Sequence, residues 1–170
     1  MHLNNAAPSA PWPGAFSEEQ PVLPARALPL AHVRLGVEAT SLEAVFAAVA
    51  QVVCGPQRPT VEQVVQRLAR RHLRSSPALG QGLALPHAAV PVIRMPMAVY
   101  LRLRAPVHLL PGDPEGVTDC LALLVPTPGF LADHELLIRV SGFLRQPGSA
   151  RALQACVDAE SVRRLLTGLG

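Results

Sequence analysis

The sequence predicts an α/β protein, a single domain in which helices flank a mixed β-sheet. Segments with helical and with strand periodicity alternate along the chain, the order expected of a sheet covered by helices. The run Cys120-Leu121-Ala122-Leu123-Leu124-Val125 is continuously apolar, which is typical of a central strand buried on both faces. The chain has 170 residues, of which 49% are hydrophobic, enough for one domain with a sizeable core.

The first part of the chain differs in composition from the rest. Proline recurs throughout residues 1–29, and no helical or strand periodicity accompanies it. We therefore expect residues 1–29 to form a flexible tail and residues 30–170 to form the folded domain. Trp12 and Phe16 of the tail could dock on the domain, but nothing in the sequence indicates where.

Two amphipathic helices are predicted in the first third of the domain. Thr40 and Glu43 have the spacing of a capping box, and the helix that they begin should end at Gly55. Thr60 and Gln63 predict a second capping box and a second helix. The apolar face of the second helix consists of Val61, Val64, Val65 and Leu68.

The middle of the chain predicts strands, and its end predicts helices. Leu83 and Leu85 indicate a short buried strand that should end at Pro86, with His87 just past its end. Residues 97–103 alternate between apolar and polar side chains, as in a half-exposed strand. Residues 111–116 predict a turn. Further helices are expected over residues 131–144, 150–157 and 160–169.

Charge and composition limit the possible functions. All fifteen basic residues are arginines, which excludes lysine-based chemistry and favours binding of phosphate or of an acidic partner. The net charge of +3 is too small, and the aromatic content of 4% too low, to indicate nucleic-acid binding. An arginine-rich nucleic-acid binder is therefore the least supported alternative.

The cysteines indicate neither a metal site nor a disulfide framework. Cys54, Cys120 and Cys156 are far apart, and no CxxC pair exists. The sequence also lacks a secretory signal pattern and an apolar stretch long enough to cross a membrane. We therefore expect a cytoplasmic protein without membrane insertion, metal or cofactor.

Three residues are predicted to meet at one site. His87 follows a strand, His134 lies at the start of a helix that follows a buried strand, and Arg71 ends the helix before the glycine-rich turn. Ligand sites of open α/β sheets gather at strand ends and helix N-termini, where a phosphate meets free N–H groups. A histidine there can act as a nucleophile toward a phosphoryl group, and no metal is needed if the donor is itself a phosphohistidine.

The segment Gly80-Gln81-Gly82-Leu83-Ala84-Leu85-Pro86-His87 resembles the active-histidine motif of the enzyme IIA component of the bacterial phosphotransferase system. The resemblance is to the fructose/mannitol type and, within it, to the nitrogen-regulatory branch. It continues through residues 121–126 and 134–137 and covers roughly residues 30–168. The resemblance implies the enzyme IIA fold and a single-domain phosphocarrier.

The resemblance also implies roles for individual residues. His87 would accept a phosphoryl group from a histidine-phosphorylated carrier protein of the HPr or NPr type. His134 would lie beside it and bind the phosphoryl group or tune the nucleophile. Arg71 would stabilise phosphate charge, and Ser76 corresponds to a small polar residue of the preceding loop.

Several positions depart from the family pattern. Pro77-Ala78 stands where the family often has Thr-Gly, and Ala88 follows His87 where glycine is common. His72 replaces an acidic residue that usually follows the site arginine, which makes the rim of the site more basic. His72 itself is predicted to be a surface residue, as are His32 and His108.

Two further functional alternatives remain open at this point. The protein could be a sugar-specific enzyme IIA that passes the phosphoryl group to an enzyme IIB. It could instead be a non-catalytic binding regulator. In that case, phosphorylation of His87 adds negative charge and changes which sensor or transport proteins the regulator binds.

Overall fold

The computed structural model describes residues 28–56, 58–109, 115–128 and 131–167. These residues form one strand, two helices, five strands and three helices in that order, so the strands and helices are grouped along the chain and the predicted alternation is wrong. The elements are β1 (Leu30–Val37), α1 (Leu42–Val53), α2 (Val61–His72), β2 (Ala78–Gly80), β3 (Leu83–Ala84), β4 (His87–Val90), β5 (Met97–Val107), β6 (Val117–Pro126), α3 (Leu131–Leu144), α4 (Ser149–Ala155) and α5 (Ala159–Thr167).

The strands form one mixed sheet in the order β1-β5-β6-β3-β2, and β4 also pairs with β6. β1 runs parallel to β5, whereas β5 runs antiparallel to β6. β3 and β4 lie one after the other along the same edge of β6, both parallel to it. Together they amount to one strand that is interrupted at Leu85 and Pro86.

This interruption corrects the prediction that the strand ends before His87. Pairing resumes at His87, which lies opposite Leu123 and is the first residue of β4. Pro86 has no N–H to donate, but its carbonyl oxygen accepts a hydrogen bond from the Leu123 N–H at 2.8 Å. The chain therefore keeps its position beside β6 across the proline.

Helices cover both faces of the sheet. The buried side chains of α1 and α2 pack on one face, against Val99, Cys120 and Ala122 among others. Those of α3, α4 and α5 pack on the other face, against Tyr100, Leu121 and other residues. The prediction of a central strand over residues 120–125 is therefore confirmed, and so is the α/β class.

The prediction of a half-exposed strand over residues 97–103 is wrong. Ala98 to Leu101 are fully buried on both faces. The polar position that suggested exposure, Arg102, is covered because its guanidinium donates hydrogen bonds to the carbonyl oxygens of Leu153 and Cys156 at the end of α4.

The helix caps match the sequence at one helix and differ at the other. Thr60 and Gln63 form the predicted capping box, with backbone-to-side-chain hydrogen bonds of 3.0 and 3.2 Å. At α1, the N-cap is Ser41, whose hydroxyl accepts a hydrogen bond from the Ala44 N–H at 3.2 Å. The N-cap therefore lies one residue after the predicted Thr40, and no capping box forms, because the residue three positions after Ser41 is Ala44.

The predicted helices near the end of the chain are present as α3, α4 and α5.

Of the tail, residues 1–27 lie outside the described residues, as does most of the predicted turn at 111–116. Leu28 is buried, and the carbonyl oxygen of Pro29 accepts a hydrogen bond from the Ala98 N–H. No helix in the described ranges is long and apolar enough to cross a membrane.

Candidate active site

His87 is held in place by the backbone on its N-terminal side. Its ring is half-buried, and its Nδ1 atom lies 3.0 Å from the carbonyl oxygen of Leu85. A carbonyl oxygen can only accept a hydrogen bond, so Nδ1 must carry the proton and donate it. In the neutral ring, this leaves the lone pair on Nε2.

The Nε2 atom of His87 is buried and has no hydrogen-bond partner within the described part of the chain. An unpartnered nitrogen of this kind is uncommon in a folded protein, because burial removes its hydrogen bonds to water. Its lone pair is therefore available to a group that approaches through the adjacent pocket, which is what a nucleophile requires.

The electrostatic surroundings keep the His87 ring neutral. Burial is the largest influence and lowers its pKa below the ordinary value of 6.5, and the positive charge of Arg71 lowers it further. The hydrogen bond to Leu85 acts in the opposite direction and does not outweigh them. At neutral pH the ring therefore keeps the lone pair on Nε2.

A small pocket lies beside the ring. It combines side chains from α1, from the end of α2, from the loop that follows α2, and from the break between β3 and β4. Its volume of about 10 Å³ accommodates roughly one water molecule. The lining residues are Phe46, Leu68, Arg71, His72, Ser75, Pro77, Pro86 and His87.

Arg71 supplies positive charge to this pocket. Its side chain is half-buried in the last turn of α2, whereas the neighbouring Arg70 is exposed and does not line the pocket. None of the carboxylates in the described residues forms an ion pair with Arg71. A partly desolvated guanidinium without a counter-ion favours the binding of an anion, and it can hold a phosphate with two hydrogen bonds.

The other two predicted site residues lie outside the lining of this pocket. Ser76 is exposed, and its hydroxyl accepts a hydrogen bond from the Ala78 N–H at 3.2 Å, so it shapes the turn; Ser75 lines the pocket instead. His134 is exposed near the start of α3, after the strand that pairs with β4. The structure thus brings His87 and Arg71 together around one pocket.

The prediction that His72 is a surface residue is wrong. His72 is half-buried and lines the same pocket as His87. Its ring meets Phe46 edge to face, with the centroids 6.4 Å apart at 71°. Its Nδ1 atom is buried and has no hydrogen-bond partner among the described residues. The helical spacing indicates that residue 72 is buried, because this position lies one turn beyond Leu68 on the buried face of α2.

Within the described ranges, no three His, Cys, Asp or Glu side chains are grouped so as to hold a metal ion. The chemistry available to the pocket is that of a neutral imidazole nitrogen beside a guanidinium. These two groups suit the acceptance of a phosphoryl group by an imidazole.

Comparison with known proteins identifies a family and its relatives. Residues 27–168 match the model of the family described as "Phosphoenolpyruvate-dependent sugar phosphotransferase system, EIIA 2". The chain is 31% identical over 104 residues to a nitrogen regulatory protein of Bradyrhizobium diazoefficiens, an alignment that spans 61% of this chain and 67% of that protein.

Solved structures show the same fold. The crystal structure of the nitrogen regulatory protein IIA-Ntr from Neisseria meningitidis superposes with a TM-score of 0.74 at 27% identity, covering 82% of this chain and 97% of that one. The mannitol IIA protein of Escherichia coli, in its complex with phosphorylated IIB, gives a TM-score of 0.65 at 14% identity, over 80% and 94% of the two chains. The latter likeness shows the fold alone.

Proposed function

Because the chain belongs to the EIIA type 2 family of phosphoenolpyruvate-dependent sugar phosphotransferase systems, we propose that it is a histidine phosphocarrier of the nitrogen-regulatory type. Members of this family are phosphotransfer components. In this proposal, His87 accepts a phosphoryl group on Nε2. The observation that carries the proposal is the hydrogen bonding of the His87 ring. Its Nδ1 atom is hydrogen-bonded to the Leu85 carbonyl oxygen, whereas its Nε2 atom is buried without a hydrogen-bond partner in the pocket that Arg71 also lines.

The proposed transfer balances without an added acid or base. The Nε2 lone pair of His87 forms a bond to phosphorus as the bond between phosphorus and the donor imidazole breaks. That bonding pair returns to the donor nitrogen. Positive charge leaves the donor ring and develops on the His87 ring, where the Leu85 carbonyl stabilises it through the Nδ1–H hydrogen bond. Transfer onward from His87 is the same process in reverse.

Three other side chains have proposed roles in the same step. Arg71 neutralises charge on the phosphoryl oxygens, for which its place in the pocket is suitable. Ser76 holds the loop between α2 and β2 through its bond to the Ala78 N–H and is available to a phosphate oxygen after a change of rotamer. His134, exposed near the start of α3, binds the phosphoryl group or tunes the nucleophile.

The proposed donor is a histidine-phosphorylated carrier protein of the HPr or NPr type, and the proposed site of action is the cytoplasm. Phosphorylation adds negative charge beside a group of arginines at the end of α2, so it changes the surface that partners meet. The nitrogen regulatory relatives favour a role in which this change controls sensor or transport proteins. Transfer to an enzyme IIB is the competing outcome.

The test is phosphorylation with purified components. Incubation with phosphoenolpyruvate, enzyme I and carrier protein should add one acid-labile phosphoryl group to the full chain, measured by intact mass. His87→Ala should abolish it, while His32→Ala, a change at an exposed histidine of β1, should not. A phosphorylated His87→Ala protein would overturn the assignment, as would an unlabelled wild type with an active carrier.

A second measurement separates the regulator from the sugar carrier. Phosphorylated protein is mixed with IIB domains of the fructose and mannitol types, and loss of its phosphoryl group is followed. A regulator should keep the group over the time in which a IIA protein of those systems loses it. Rapid transfer to a IIB domain would favour the sugar-specific alternative.

A further inference from the structure

His72 and His87 share an unusual property. Within the described residues, the only buried side-chain nitrogen or oxygen atoms without a hydrogen-bond partner are His72 Nδ1 and His87 Nε2. Both residues line the same pocket. Unpartnered buried polar atoms are costly, and two at one place indicate a ligand that is absent from the free protein.

The His72 ring is positioned by packing and not by a hydrogen bond to Nδ1. It is the last residue of α2, one turn beyond the fully buried Leu68. Its edge-to-face contact with Phe46 of α1 sets the orientation of the ring. The helix and the aromatic contact thus hold the ring in the pocket and leave Nδ1 for another group.

We infer that His72 is a phosphoryl-binding residue of this protein, whose Nδ1–H donates a hydrogen bond to an oxygen of the phosphoryl group on His87 Nε2. The inference rests on the proposed function. Phosphoryl oxygens only accept hydrogen bonds, so His72 must carry its proton on Nδ1. One phosphoryl group then serves both unpartnered atoms, through the N–P bond at His87 and the hydrogen bond at His72. The His72 proton stays on its nitrogen throughout the transfer.

This arrangement stabilises the phosphorylated protein relative to the free protein. The quantity to measure is therefore the equilibrium constant for phosphoryl exchange with the carrier protein, because a residue that only supports the fold does not act selectively on the phosphorylated state. His72→Phe keeps a ring against Phe46 and removes both nitrogens. His72→Asn keeps an amide N–H close to the position of Nδ1–H. His32→Phe is the matched control at an exposed histidine.

We expect His72→Phe to lower the exchange equilibrium constant by about 10- to 100-fold, the effect of losing a hydrogen bond to a charged group. His72→Asn should recover a large part of this loss, and His32→Phe should match the wild type. A constant for His72→Phe within about twofold of the wild type would overturn the inference, since a bridging water with no role in transfer gives that result.

A measurement on the wild type avoids any effect of the variants on folding. In ¹⁵N-labelled protein phosphorylated at His87, the His72 Nδ1 signal should be that of a protonated ring nitrogen. A signal of the unprotonated type would rule out donation from this atom. If the wild type accepts no phosphoryl group, the proposed function fails; if it does and His72 has no effect, only this inference fails.

Discussion

The Nδ1 atom of His87 donates a hydrogen bond to the carbonyl oxygen of Leu85, 3.0 Å away and two residues earlier in the chain. The intervening Pro86 has a fixed φ, and its own carbonyl oxygen is bonded to the Leu123 N–H. The short contact therefore rests on backbone that is anchored to β6. It determines which ring nitrogen carries the proton and leaves Nε2 facing the pocket that Arg71 lines.

The lowered pKa of His87 predicts how the protein responds to acid. Burial and the charge of Arg71 place this pKa below 6.5. The initial rate of phosphoryl acceptance should therefore be constant from neutral pH to below 6.5 and fall only at lower pH, where Nε2 becomes protonated. Ring signals in NMR should give a titration midpoint below 6.5, and Arg71→Gln should raise that midpoint. A midpoint at or above 6.5 would contradict the neutral nucleophile.

The same shift affects stability. Since the folded pKa lies below the unfolded value, the unfolded chain takes up this proton first as the pH falls. The contribution of the neutral ring is thus complete above about pH 6.5 and is lost below it. Denaturant titrations of His87→Gln should show a smaller loss of stability between about pH 7 and about pH 5 than the wild type shows. The other charged or titratable groups that face His87 in the pocket, Arg71 and His72, are unchanged in this comparison.

Arg71 and Arg70 allow a matched test of phosphate binding. The residues are adjacent in α2, but only Arg71 lines the pocket, whereas Arg70 is exposed. We expect Arg71→Gln to slow phosphoryl acceptance at least about tenfold, because a charged hydrogen bond to the transferring group is lost. Arg70→Gln removes the same charge and should have an effect of less than about threefold. Similar rates of phosphoryl acceptance for the two variants would show that the loss of net charge, and not the place of Arg71 in the pocket, causes the effect.

Much of this fold can be predicted from periodicity and capping. The apolar run at residues 120–125 identifies the central strand, and Thr60 with Gln63 identifies the start of α2 to the residue. His87 and Arg71 can be selected because the glycine-rich segment and the preceding helix end fall close together in the sequence. These features are local, so a single segment contains the information.

The features that the sequence did not predict depend on contacts between segments that are distant in the sequence. From the sequence, Arg102 is predicted to be an exposed strand residue. In the structure it is covered by α4, because its guanidinium donates a hydrogen bond to the carbonyl oxygen of Leu153, 51 residues later. The continuation of the strand at His87 depends on β6, which bonds to the Pro86 carbonyl. His72 looked like part of a basic helix end, since its ring becomes buried only when α1 brings Phe46 against α2.

Asp119 and Arg102 form a partly buried ion pair whose loss should weaken the fold. Asp119 is 2% exposed and accepts hydrogen bonds from the Arg102 guanidinium at 2.9 Å, from Thr118 and from the Tyr100 hydroxyl. Burial raises the pKa of Tyr100, so that its hydroxyl stays protonated and donates. Asp119→Asn leaves the guanidinium without its counter-ion, and we expect a loss of about 3 kcal/mol in the free energy of unfolding.

The control for this prediction is the exposed pair of Glu38 and Arg104, whose side chains are 75% and 69% exposed. Glu38→Gln should change the free energy of unfolding by less than about 0.5 kcal/mol, because water screens the pair. Urea unfolding at neutral pH measures both variants. Equal losses of unfolding free energy in the two variants would show that the hydrogen bonds among Asp119, Arg102 and the α4 carbonyl oxygens do not hold α4 to the sheet.

The two glycines before His87 differ in what surrounds them, and this difference predicts unequal effects of alanine. Gln81 and Gly82 form the two-residue turn between β2 and β3, with φ angles of +55° and +75°. A Cβ atom on Gly82 would lie 2.8 Å from the Thr118 hydroxyl oxygen, which cannot easily move because it is bonded to Asp119. Gly80 also has a positive φ of +87°, but no atom lies within 4 Å of the corresponding position.

Gly80→Ala should therefore cost only the backbone strain of about 1–2 kcal/mol. Gly82→Ala should add at least about 1 kcal/mol, because β3 must shift away from Thr118. Such a shift also moves Leu85 and weakens its hold on the His87 ring, so Gly82→Ala should slow phosphoryl acceptance more than Gly80→Ala does. Urea unfolding and the acceptance rate test the two effects separately. Equal effects of the two variants would mean that the glycines serve the turn alone and do not position the nucleophile.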